Sequence, residues 1–140
     1  MYGMHIYRAK NSEQPGTSYD ELIKKARAEY HKIQKRTPRR RPYVRSKYFT
    51  KDKIFVSNFW DHLNQKSYKD RARRLKLYQP AIELIRNSPF TPTTMQNPNN
   101  TDELLHRFEG IAESGTKFSV QIKENKKTGR KDFMSCFPRK

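Results

Sequence analysis

The chain has a single cysteine, Cys136, in 140 residues. An internal disulfide and a cysteine-rich zinc site are therefore excluded, and a reducing, cytoplasmic setting is the expectation. Acidic residues are also few: 14 Asp and Glu stand against 31 Lys and Arg, a formal net charge of +17. Such an excess attracts polyanions and opposes compaction by self-repulsion. Long apolar runs are missing, so no segment reads as a membrane span. The first residues lack the apolar stretch of a signal peptide, and no strongly apolar helix face suggests a membrane anchor. There is no glycine-rich phosphate loop, nucleophile elbow or dinucleotide fingerprint, which leaves nucleotide hydrolysis and hydride transfer without support. His5, His31 and His62 have no carboxylate or cysteine at a metal-ligand spacing, and neither a metal nor a cofactor is expected.

What the chain does contain is aromatic: eight Phe, eight Tyr and one Trp, enough to build a modest core beneath a basic surface. Residues 1–17 are polar and turn-forming and read as a loose end. Ser18 and Glu21 have the spacing of a capping box, and Leu22, Ile23, Ala26, Tyr30 and Ile33 make a narrow apolar stripe on a helix running to about Arg36. Residues 35–47 then carry seven positive charges and two prolines, a composition that favours an extended, mobile segment. The sequence thus divides into a basic arm, residues 1–50, with one helix and a Pro/Arg-rich linker, and a compact domain, residues 51–140.

In that domain, Ile54, Phe55, Phe59, Trp60 and Leu63 recur at helical spacing from about Lys51 onwards. A further helix starts at Ser67 or Tyr68, with Ala72, Leu75, Ile82 and Ile85 on its buried side. Pro80 either kinks it or opens a new helix. Residues 89–100 read as a loop. Beyond Glu103 the period changes: Leu104–Ile111, Lys117–Lys123 and Lys131–Phe137 read as strands, with Phe118, Val120 and Ile122 on one face and a hairpin turn at residues 126–129. Two or three helices followed by a small antiparallel β-meander is an α+β arrangement. No internal repeat is present.

The charge sits mainly in the first hundred residues, which hold 22 basic and 8 acidic side chains. Arg39, Arg40, Arg41 and Arg45 form one candidate polyanion-binding cluster, with Tyr43, Tyr48 and Phe49 beside it to stack on unpaired bases. Arg71, Arg73 and Arg74 form a second on a helix, where an ordinary solvated face is an equal reading. RNA, free or in the ribosome, is the expected partner, and no helix-turn-helix, zinc-finger or RRM signature supports sequence-specific reading. On the strands, alternation turns Gln121 and Lys123 outward, where either His106 or Arg107, and either Ser135 or its alternate-face neighbours, can join them on an open sheet face. A histidine to move protons, with Arg and Lys to hold phosphate, suits metal-independent RNA cleavage through the ribose 2′-hydroxyl. A half-buried sheet histidine and a plain strand serine are the competing readings of His106 and Ser135.

This layout, with Leu105–Gly110, Lys117–Lys123 and Phe133–Pro138 as its strands, resembles the barnase–EndoU–colicin–RelE superfamily of metal-independent ribonucleases, and its phage-associated branch in particular. The resemblance spans residues 67–138. It implies an RNase-like toxin or effector nuclease with His106 as general acid or base, Arg107 and Lys123 on the phosphate, and Ser135 orienting it. It also implies an acidic antitoxin or immunity protein as a partner. The chain departs from barnase-like enzymes in having no obvious catalytic glutamate on the sheet apart from Glu109 and Glu124. The alternative is a non-enzymatic, basic RNA- or ribosome-binding protein.

Overall fold

The computed structural model describes residues 6–16, 18–37, 39 and 41–139. Its elements run β1 (Ile6–Arg8), α1 (Tyr19–Arg36), β2 (Tyr43–Ser46), β3 (Asp52–Phe55), α2 (Asn58–Asn64), α3 (Tyr68–Leu75), α4 (Tyr78–Asn87), β4 (Thr93–Gln96), β5 (Glu103–Ile111), β6 (Lys117–Asn125) and β7 (Lys131–Pro138). The strands form one curled mixed sheet in the order β1-β5-β6-β7-β3-β2, with β4 pairing β5 off this path. This corrects the expected α+β arrangement of helices followed by a small meander. The meander β5-β6-β7 is instead the middle of a seven-stranded sheet that also recruits strands from the first half of the chain.

Helix α1 forms because Leu22, Ala26, Tyr30 and Ile33 repeat at intervals of three and four, and all four are buried. The capping box does not form: the Ser18 carbonyl accepts the Leu22 amide at 3.1 Å, but its side chain makes no cap hydrogen bond. The stripe of α1 shares one core with Phe59, Trp60, Tyr78, Phe118, Val120, Ile122 and Phe133. Residues of the expected basic arm therefore supply a helix and two strands to the same sheet and core as the rest of the chain.

The apolar run from Ile54 is a strand and then a helix. Ile54 and Val56 are buried two apart, in the strand period, whereas Phe59, Trp60 and Leu63 follow the helical period in α2. Pro80 occupies the first turn of α4, where its missing amide costs no helical hydrogen bond. Strand β4 lies in the segment expected to be a loop, and its side chains are exposed.

Helices cover one face of the sheet. Phe59 of α2 stacks on Phe133 of β7, with ring centroids 4.9 Å apart. Leu84 of α4 crosses β5 at Gly110, where a Cβ would lie 2.8 Å from the Leu84 methyl and 2.6 Å from Phe118. Close approach of helix to sheet is what requires glycine there. The turn between β2 and β3 completes this layer, with Tyr48 and Phe49 against Phe108. No helix among the described residues is long and apolar enough to cross a membrane.

Candidate nucleic-acid interface

Pairing register sorts the candidate residues between the two faces. Across β5 and β6, His106 stands opposite Ile122 and Phe108 opposite Val120, whereas Arg107 stands opposite Gln121. Ile122 and Val120 are buried under the helices, so His106 lies on the covered face and Arg107 and Gln121 on the other. The four residues His106, Arg107, Lys123 and Ser135 therefore do not meet. Arg107, Gln121, Lys123 and Ser135 share the open face, and His106 is turned away from them.

Ser135 reaches the open face because of a bulge. Gln121 pairs with Ser135 but Ile122 pairs with Phe133, leaving Met134 as an extra residue. Strict alternation would set Ser135 on the same face as the buried Phe133; the inserted residue reverses this. Strand β3 pairs only with Lys131 and Asp132 of β7, so from Phe133 onwards that edge of β7 is open to α3. Arg74 wraps it. Its carbonyl accepts the Cys136 thiol on the covered side, and its guanidinium donates to Ser135 Oγ on the open side while pairing with Asp70 at 3.2 Å.

Three aromatic rings of the open face each have a cation over or beside them. On β2 and β3, Arg45 and Lys53 lie 5.4 Å and 4.9 Å from the Tyr43 ring. Next, Arg130 lies 4.5 Å from Phe55. At the β7 edge, Arg74 and Arg107 approach Phe137 to 5.5 Å and 5.3 Å. Arg45, Lys53 and Arg107 have no carboxylate partner among the described residues, whereas Lys123 pairs with Glu103 at 3.6 Å and Arg130 with Asp132 at 3.1 Å. A guanidinium held over an aromatic ring keeps its in-plane N–H donors available to phosphate.

Several sequence candidates have other tasks. Arg71 closes the end of α2 by donating to the Asn64 and Lys66 carbonyls at 2.7 and 2.9 Å. Arg73 is exposed on α3, away from Ser135. Arg39 is exposed in a turn with φ 66°, Arg41 is exposed just before β2, and Arg45 donates to the Lys51 carbonyl at 2.9 Å. Arg40 lies outside the described residues, as does His5.

His106 belongs to a polar row that crosses five neighbouring strands on the covered face. Thr94 Oγ1 is 2.7 Å from His106 Nδ1, and Glu124 Oε1 is 2.8 Å from His106 Nε2. The row continues from Glu124 to Lys131 at 3.8 Å and from Lys131 to Asp52 at 2.8 Å. Phe49 covers it, with its ring centroid 5.0 Å from the His106 ring and 4.9 Å from Lys131 Nζ. At 6 % and 7 % exposure, His106 and Lys131 are shielded from a polymer on the outer surface. Each side chain in this row has at least one polar partner, the condition under which buried polar groups hold a sheet together.

Two residues escaped the sequence reading. Phe137 looked like one more strand aromatic, and its role as the platform between two guanidiniums depends on the bulge. His62 of α2 is the other. Burial, and then the charges of Lys66, Lys123 and Arg74, hold its imidazole below the ordinary value of 6.5, against the weaker opposing pull of Asp61. Lys66 stands four residues on from His62 and Asp61 is adjacent to it, but nothing in the spacing of α2 signals Lys123 and Arg74, which come from β6 and α3.

No protein-family model, curated protein or solved structure matches this chain. Among the described residues, no group of three or more His, Cys, Asp or Glu is placed to hold a metal ion.

Proposed function

We propose that this protein binds single-stranded RNA on the open face of its sheet. The supporting observation is the set of three aromatic rings, Tyr43, Phe55 and Phe137, each with at least one cation over or beside it. Unpaired bases stack on aromatic side chains and their phosphates seek Arg and Lys, so rings flanked by cations suit a single strand. The polar side chains Gln121 and Ser135, set between the cations, are suited to sugar hydroxyls and base edges. Fluorescence anisotropy with a labelled, unstructured RNA oligonucleotide tests this reading. Arg107→Ala and Lys53→Ala are each expected to weaken binding about tenfold, the ratio given by losing one charge-assisted hydrogen bond of ~1.5 kcal/mol. Unchanged affinity in both variants would count against the open face.

Cleavage of the bound RNA is the second reading, favoured by the electrostatic setting of His62. Burial, and then the charges of Lys66, Lys123 and Arg74, favour the neutral imidazole that a general base needs. Incubation with RNA in EDTA, read on a denaturing gel, decides it. Products from the wild type and none from His62→Ala support cleavage; intact RNA with both leaves a binding protein.

A further inference from the structure

Helix α3 has a second basic flank that the sheet face does not use. Lys69, Ala72, Arg73 and Lys76 recur at helical intervals of three and four, and with Tyr19 and Tyr68 they line a groove of about 380 Å³ between α1 and α3. That volume is at the lower end of the ~300–1,000 Å³ range of small-ligand clefts. The groove is apolar at its floor and cationic at its rim. None of Lys69, Arg73 and Lys76 has a carboxylate partner among the described residues, whereas Arg74, on the neighbouring flank, is paired with Asp70.

Tyr68 is the unusual residue. It is 70 % exposed, one of two large hydrophobic side chains left in solvent among the described residues. Its ring is nonetheless held in place: Tyr19 meets it edge-on with centroids 5.2 Å apart, and the Arg71 guanidinium lies 5.0 Å away. Arg71 is itself fixed by the carbonyls of Asn64 and Lys66. A tyrosine oriented from two sides but left open costs little further entropy when something flat stacks on it. Three unpaired cations around it require that the occupant be anionic near its flat part.

We propose that this groove is a nucleotide subsite, in which one base stacks on Tyr68 while its flanking phosphates are held by Lys69, Arg73 and Lys76. The proposal rests on the RNA-binding reading above and extends it from the sheet to the opposite flank of α3. Arg74 serves the sheet face and Arg73 the groove, so one short helix is shared by both sites.

The test uses the full chain and two oligonucleotides of equal length, one with bases and one abasic. Tyr68→Ala is expected to weaken the base-bearing strand about 5- to 150-fold, the ratio that ~1–3 kcal/mol of base–aromatic stacking gives. It should leave the salt dependence of binding unchanged and the affinity for the abasic strand unaltered. Tyr68→Phe should bind like wild type, since the ring is kept. Combined replacement of Lys69, Arg73 and Lys76 by Ala should instead lower the salt slope for both strands. Equal binding of the base-bearing strand by Tyr68→Ala and wild type would overturn the subsite while leaving the sheet-face reading standing. An equal loss for both strands would overturn it also, by showing a merely structural role. If the wild type binds neither strand at low salt, the subsite and the RNA reading fail together. Binding of a tyrosine-containing acidic peptide in preference to either strand would assign the groove to a protein partner and overturn the nucleotide.

Discussion

Cys136 is the one thiol of the chain and is fully buried, with the Arg74 carbonyl 3.4 Å from its sulfur. Burial pushes the thiol up to about 12. Thiolate, not thiol, is the reactive form, so Cys136 is expected to be inert to a disulfide reagent in the native protein at neutral pH. Labelling should appear only in guanidinium; stoichiometric labelling without denaturant would contradict the packing of α3 on β7. His62 offers a second test at this scale. Its imidazole is held below 6.5 by burial and by Lys66, Lys123 and Arg74, and a bound phosphate would favour the imidazolium. The complex therefore takes up a proton that the free protein does not, and RNA affinity should rise as pH falls towards the free value. In His62→Ala this part of the pH dependence should vanish. An identical pH profile in the variant would separate His62 from the bound strand.

Two contacts between elements carry a large share of the architecture. Glu83 of α4 ties the end of β1 down by accepting the Tyr7 hydroxyl at 2.6 Å, the Lys10 and Asn11 amides at 2.8 and 2.9 Å, and the Asn11 side chain at 2.7 Å. Burial alone would raise the carboxyl, but these donors outweigh it and hold the group below its ordinary value. Its contribution to stability is thus present above the ordinary carboxylate range and is lost as pH falls through the folded value. Glu83→Ala is expected to cost about 2 kcal/mol in chemical denaturation, as for other hydrogen-bonded carboxylates, and to flatten the acid limb of the stability profile. Gly110 allows α4 to approach β5, and Gly110→Ala should destabilise by about 1–3 kcal/mol through overpacking against Leu84 and Phe118. A thermal midpoint equal to wild type would refute the close approach.

The same scale shows what was legible in the sequence. Strands β5, β6 and β7 could be read because Phe118, Val120 and Ile122 alternate with polar residues, and local alternation is all that an antiparallel neighbour requires. Helix α1 was legible from its stripe. Strands β1, β3 and β4 have three or four residues each, too few for a period to show, and β1 and β3 join the sheet through parallel pairing with distant partners. In the candidate site, alternation offered either His106 or Arg107 beside Gln121 and Lys123, and Ser135 takes its place with them only through the bulge. His106 could not be assigned, because alternation separates adjacent residues without saying which one the helices cover.

For the molecule as a whole, the fold distributes a charge of +17 rather than neutralising it. The polar row Thr94–His106–Glu124–Lys131–Asp52 uses charged groups inside the helix-covered layer, where each is paired. The cations without a carboxylate partner among the described residues, Arg45, Lys53 and Arg107 on the sheet and Lys69, Arg73 and Lys76 along α3, remain near aromatic rings. Surface charge of one sign costs self-repulsion in the free protein, and a polyanion relieves it by releasing its own counterions. The N-terminal half contributes to this surface through β2 and α1, which is why the sheet, and not a detached arm, is the expected platform.

The most direct test of this account is the salt dependence of binding to a labelled, unstructured single-stranded RNA. Four or more phosphates neutralised on the open face predict that log K falls linearly with log salt with a slope of about −3 or steeper, at ~0.7 per phosphate, and that Arg107→Ala reduces the slope by about one such contact. Binding that is insensitive to salt, or no binding at low ionic strength, would contradict it.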